Sequence, residues 1–197
     1  MSADTAQPPE LNEQIIEDVH AAVEKTFGQM FGLKVESSFQ SIERGAEPSG
    51  DVTVIITLIG KDPQGALILT FPKETVFNVL KVFYKRDFTE IDNTVMGAVG
   101  EISNIVYGVF KQRVRSKGLQ FGMAMPQISA GGAPRIANVA WISCGTFKCP
   151  HGSFWVSLVR VKLSGGGGDL EPGHFHRFNA DRCTTNNAFN AARLCHG

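Results

Sequence analysis

Glu101 and Asn104 stand three residues apart in the middle of the longest helical stretch of the sequence. That spacing turns both side chains to one face of a helix. An asparagine neither gains nor loses a proton near neutral pH, but its amide accepts from and donates to a water at the same time. It is suited to catalysis by positioning, holding a water in line for attack. A carboxylate one turn before it can pair with a lysine or arginine of a partner and fix the docking. The two lack the paired carboxylates of a glycosidase and the nucleophile–base pair of a hydrolase. A second Glu-x-x-Asn, at Glu90 and Asn93, falls at the expected start of the same helix. There the free backbone N–H groups are reason enough for acidic and amide residues.

On a helical wheel, Ile91, Val95, Ala98, Val99, Ile102, Ile105, Val106, Val109 and Phe110 share one broad sector, expected to face the core. Asn93, Gly97, Glu101, Asn104, Gly108 and Lys111 share the opposite one. Glycine inside a helix costs about 1 kcal/mol relative to alanine. A solvated face has no need of Gly97 and Gly108 on the Glu101/Asn104 stripe. A face that another backbone must approach closely can use them. The simpler alternative, ordinary surface polar groups, stays open at this level.

The surrounding elements must hold that helix. Residues 1–9 read as a flexible lead ending at Pro8-Pro9. From Glu10, Leu11, Ile15, Val19, Ala22, Val23 and Phe27 recur at helical spacing, and Gly32 is a natural stop. Glu13, Glu17, Asp18 and Glu24 are expected on its polar faces. Strands are expected over 35–42, 52–59 and 66–71, the second with apolar residues on both faces. A helix over 73–84 follows Pro72, and the long helix runs over 90–116 behind a Thr89/Asp92 capping pair, with Gly118 as its stop. Strands over 119–128, 136–147 and 154–163 close the domain. The fold class is α+β, a mostly antiparallel sheet packed against helices, in the order α-β-β-β-α-α-β-β-β. Residues 10–163 make the domain, and 164–197 read as a glycine linker and a disordered tail without apolar periodicity.

The run Gly100-Glu101-Ile102-Ser103-Asn104-Ile105-Val106-Tyr107-Gly108, followed downstream by Met125-Pro126, resembles the CheX and CheC family of chemotaxis phosphatases. The element order is similar to the CheX pattern, and the segment 147–162, with Pro150-His151-Gly152 before a strand, is similar to that family's closing hairpin. The resemblance spans about residues 10–163. It implies hydrolysis of the aspartyl phosphate of a CheY-like response-regulator receiver domain, as in chemotaxis and two-component signalling. It makes Asn104 and Glu101 catalytic, one orienting the water and the other engaging the receiver's lysine. Gly97, Gly108, Lys111 and Pro126 would contact the partner. It implies Mg²⁺ on the receiver rather than on this chain, and a homodimer. Where the family often carries Asp or Ser, this chain has Gly97. The absence of a second Glu-x-x-Asn on the first helix resembles CheX, with one site per chain, rather than CheC with two. A non-catalytic module of the same fold, docking a response regulator or a flagellar switch or chemotaxis protein, is the alternative, and a structural oligomer is a third.

Composition narrows the rest. Among 197 residues, 43% are hydrophobic and 19% charged, enough for a packed core. Lys and Arg number 19, as do Asp and Glu, so the basic excess expected of a nucleic-acid binder is missing. No apolar run approaches the roughly 20 residues of a membrane span, and Met1 to Pro9 lacks the build of a signal peptide. The expectation is a cytoplasmic protein with Cys144, Cys149, Cys183 and Cys195 reduced. Cys144, Cys149 and His151 lack an obvious fourth ligand and are expected to be structural, so no metal site is expected. The basic run Lys111, Arg113, Arg115 and Lys117 suits a helix C-terminus.

Overall fold

The computed structural model describes residues 15–41, 47–60, 65–131 and 139–161. The expected lead, linker and tail, and residues 10–14 of the first helix, lie outside the described residues. Three helices and six strands follow in the order α1 (Ile16–Phe31), β1 (Glu36–Ser41), β2 (Val52–Leu58), β3 (Gly65–Phe71), α2 (Lys73–Tyr84), α3 (Asn93–Arg115), β4 (Gln127–Ala130), β5 (Val139–Cys149) and β6 (Gly152–Val161). The strands form one sheet in the order β1-β5-β6-β3-β2-β4, antiparallel throughout.

Alternation divides the sheet's side chains between two faces. Val52, Val54, Ile56 and Leu58 of β2, Leu67, Leu69 and Phe71 of β3, and Phe154, Val156 and Leu158 of β6 turn to the helices and share one core with all three. Ile55, Ala66, Ile68, Ile142 and Val159 form a second buried cluster on the other face. β2 is therefore covered on both sides. Phe154 sits among Phe27, Phe71 and Phe147 with ring centroids 4.7, 5.0 and 5.4 Å away. Such offset stacks add to the burial of large rings. An apolar void of about 10 Å³ where α1, α2, α3 and β3 meet is far smaller than a ligand pocket.

α1 ends as its sequence requires. Gly32 takes the left-handed conformation, its N–H bonds Gly28 O at 3.1 Å, and Leu33 N–H bonds Phe27 O at 3.3 Å. This is the glycine stop that closes many helices. Asp18, expected on a polar face, is instead buried, 3% exposed. Its Oδ1 lies 3.1 Å from Arg113 Nε and its Oδ2 2.6 Å from Lys117 Nζ. A carboxylate enters a core only with such partners. Two members of the basic run at the end of α3 are thus spent on latching α3 to α1.

Besides shifts of one or two residues at strand ends, two element boundaries differ from expectation. α3 begins at Asn93, not Glu90, because Asp92 is itself the cap, accepting from Val95 N–H at 2.8 Å. The strand expected over 119–128 is confined to Gln127–Ala130. Leu119 and Phe121 are buried, and Phe121 makes one isolated bridge to Gly60. Beyond it the chain forms no ladder until Pro126, which has no N–H to give, has been passed.

Candidate functional site

α3 carries the site because its buried face is complete without it. Val95, Val99, Gly100, Ile102, Ser103, Val106, Tyr107, Phe110 and Val114 are buried. Compared with the wheel, the helix is rolled toward Gly100, Ser103 and Tyr107. Ile105, expected in the core, is 38% exposed. The roll has identifiable causes. Gly100 lets β4 approach, since a Cβ there would stand 2.7 Å from Ile128 Cδ1. Ser103 satisfies its hydroxyl on Val99 O at 2.8 Å. Tyr107 donates its hydroxyl to Gly122 O at 2.8 Å.

The roll leaves the polar stripe outside. Glu101, Gly97 and Gly108 are exposed, and Asn104 is half-buried beside them. A Cβ at Gly97 or Gly108 would meet nothing within 4 Å. Neither glycine is demanded by this chain's own packing, in contrast to Gly100. The two are eleven residues apart, about 16 Å along the axis, with Glu101 and Asn104 between them.

Beside the stripe runs a strap without regular secondary structure, residues 122–126. Gly122 is held three ways. Its N–H donates to Ile59 O at 2.9 Å, and its carbonyl accepts from Tyr107 Oη and from Lys111 Nζ, the latter at 2.9 Å. At the far end Ile128 lies against Gly100. The strap therefore runs back along α3 from the turn of Tyr107 to the turn of Gly100. Pro126 comes between, on the Asn104 side of the helix. Lys111 is half-buried with its ammonium on the strap, so the structure gives it an internal role that spacing did not suggest. The roles of Tyr107 and Gly122 were not visible in the sequence. The phenol's position on the helix flank next to a glycine-containing loop was the available signal.

Burial pushes the Tyr107 phenol above its usual range, which keeps it a donor. Burial likewise raises the Cys144 thiol, opposed by a hydrogen bond with Ser157. Cys149 Sγ lies 3.3 Å from Gly152 O. Among the described residues no three His, Cys, Asp or Glu side chains gather as a metal site. His20 stacks on Phe147, with Nδ1 2.6 Å from Ser37 Oγ, and ties α1 to β1.

A half-buried amide and an exposed carboxylate share one helix, open to a backbone-sized approach at both ends. Residues 52–148 match the family model described as chemotaxis phosphatase CheX. The chain is CheX-like. A CheC-like superfamily protein from Shewanella sp. PV-4 superposes with a TM-score of 0.70 at 19% identity, covering 77% of this chain and 100% of that one. The chemotaxis protein CheX of Desulfovibrio desulfuricans gives 0.66 at 22% identity, covering 75% and 99%. A chain from the CheX–CheY–BeF3–Mg²⁺ complex of Borrelia burgdorferi gives 0.58 at 21% identity, covering 76% and 98%. At these identities the superpositions establish a shared CheX-like fold. No curated protein matches the chain. No helix among the described residues is long and apolar enough to cross a membrane.

Proposed function

We propose that this CheX-like chain hydrolyses the aspartyl phosphate of a CheY-like receiver domain in chemotaxis or two-component signalling. The observation that carries the reading is the α3 face: Asn104 beside exposed Glu101, with open space over Gly97 and Gly108. Support comes from the CheX family match and from a neighbour of the same fold whose structure is a complex of CheX with CheY, BeF3 and Mg²⁺.

In this reading Asn104 holds a water with its amide, carbonyl oxygen accepting and NH₂ donating, in line with the receiver's phosphorus. Glu101 pairs with a lysine of the receiver and sets the distance between the helix and the phosphoryl group. Gly97 and Gly108 leave room for the receiver's backbone, and Pro126 stiffens the strap beside Asn104. Lys111 acts through the strap that it holds. The helix stretch 97–108 offers one carboxylate, Glu101. No acidic cluster accompanies it there, in keeping with the resemblance, which puts Mg²⁺ on the receiver, where its charge would offset that of the phosphoryl oxygens. A receiver substrate also makes the cytoplasm the place of action. The homodimer implied by the resemblance would form beyond this face; the sheet has two edge strands, β1 and β4, and sedimentation tests it.

Phosphate release from a phosphorylated receiver, with and without this protein, tests the reading. Faster release supports it. Binding without faster release favours the second reading, a non-catalytic module, to which Gly97 in place of an acidic or hydroxyl residue points.

A further inference from the structure

Seven large hydrophobic side chains are exposed among the described residues, and three of them border the α3 face: Met123 at 95%, Met125 at 89% and Ile105 at 38%. Ala124 packs against the core. Met123 and Met125, on either side of it and almost wholly exposed, point away from the core. The strap bearing them is pinned at Gly122 by Tyr107, Lys111 and Ile59 and followed by Ile128 against Gly100. Its position places the methionines on the Asn104 side of the stripe, while Ile105 stands on the opposite side, next to Glu101 on the wheel.

Single exposed apolar residues are ordinary. Here, however, they flank a polar pair from both sides. Keeping bulk water off a centre where one water is held strengthens the polar contacts that hold it. The polar groups and glycines of the stripe cannot do that. Weakly contributing apolar contacts around a polar centre exclude water in protein interfaces. Methionine suits this, because its unbranched thioether adapts to whatever surface meets it. The centre presents one carboxylate and room for a backbone, which fits a folded partner bringing a cationic side chain inside an apolar surround.

We propose that Met123, Met125 and Ile105 form an apolar rim on which the receiver domain seats, sealing Glu101 and Asn104 from bulk water. This rests on the phosphatase reading above. Two double variants test it, Met123→Gln with Met125→Gln, and Met123→Leu with Met125→Leu. Each is titrated with a CheY-like receiver in its beryllofluoride form and assayed for phosphate release from the phosphorylated receiver. Both should melt as the parent does, since neither side chain supports the core. The Gln pair should weaken binding by about tenfold and lower kcat as well, because the seal is lost together with the contact. The Leu pair should stay within about threefold of the parent, because it keeps the apolar surface. A parent that is active on the receiver together with a Gln pair of equal affinity would overturn the rim alone. A parent without effect on any receiver would overturn both readings. A Gln pair that changes self-association and leaves receiver binding untouched would make the rim a contact between copies of this chain and overturn the proposal.

Discussion

The Tyr107 hydroxyl donates to the Gly122 carbonyl across 2.8 Å, tying the strap to the helix that carries Glu101 and Asn104. Lys111 reaches the same oxygen at 2.9 Å. The bond supports the roll of α3 together with Gly100 and Ser103, and fixes where residues 122–126 begin. Through that roll, Ser103 is buried and Asn104 is left at the surface.

Tyr107→Phe should cost about 1 kcal/mol, the net value of one hydrogen bond, with Lys111 still holding the carbonyl. Calorimetry should show a small fall in Tm, and amide exchange should quicken in the strap. The pH dependence has a definite sign. Burial raises the folded-state pKa of the phenol above its ordinary value of 10.0. The unfolded chain therefore ionises first. The stabilising contribution is complete below pH about 10 and is lost as pH rises through the folded-state value. A parent protein that lost stability through Tyr107 below that range would contradict the account.

The Asp18 latch makes an asymmetric prediction. Asp18→Ala frees Arg113 and Lys117, both nearly half exposed, to turn to water, and should cost about 1–3 kcal/mol. Replacing both cations by alanine strands a buried carboxylate and should cost about 3–5 kcal/mol. Urea unfolding of the two variants reads the difference directly. Equal losses would mean that Asp18 reaches water in the folded state.

Much of the fold was legible in the sequence because apolar periods of 3.6 and 2 survive in nearly every element. Gly32 and Gly118 mark helix ends by their need for positive φ, at 67° and 86°. The exposure of Gly97, Glu101 and Gly108 was also readable, since no hydrophobic residue interrupts their sector. The roll of α3 was not. A wheel weighs Ile105 as core, whereas Gly100 and Ser103 count for little on it, although a missing Cβ and a self-satisfied hydroxyl are what admit β4. Asp18 was unreadable for a related reason: its partners lie 95 and 99 residues away, on and just beyond a helix whose azimuth the sequence leaves open. In 119–128 the alternation of Leu119 and Phe121 looked like a strand, but only Gln127 onward finds β2 to pair with.

Gly97→Leu should leave the free protein as stable as the parent, or more stable by somewhat under about 1 kcal/mol, because leucine is the better helix former. Nothing lies within 4 Å of a Cβ at that position. The same side chain would stand where the partner's backbone approaches, so receiver-dependent activity should fall steeply. Paired thermal melting and phosphate-release assays check both halves. Full activity with leucine at position 97 would remove the close-approach face from the account.

The central claim is that the Asn104 amide holds the attacking water. The most direct test is the single-turnover rate of phosphate release from a phosphorylated receiver saturated with Asn104→Ala. Saturation removes any effect on docking from the measured rate. Asn104 is half-buried at the surface of α3 and should be lost with little effect on folding. The account predicts a folded variant that binds the beryllofluoride form of the receiver as the parent does and releases phosphate about a hundredfold more slowly. A folded Asn104→Ala protein that matches the parent's rate at saturation would contradict it.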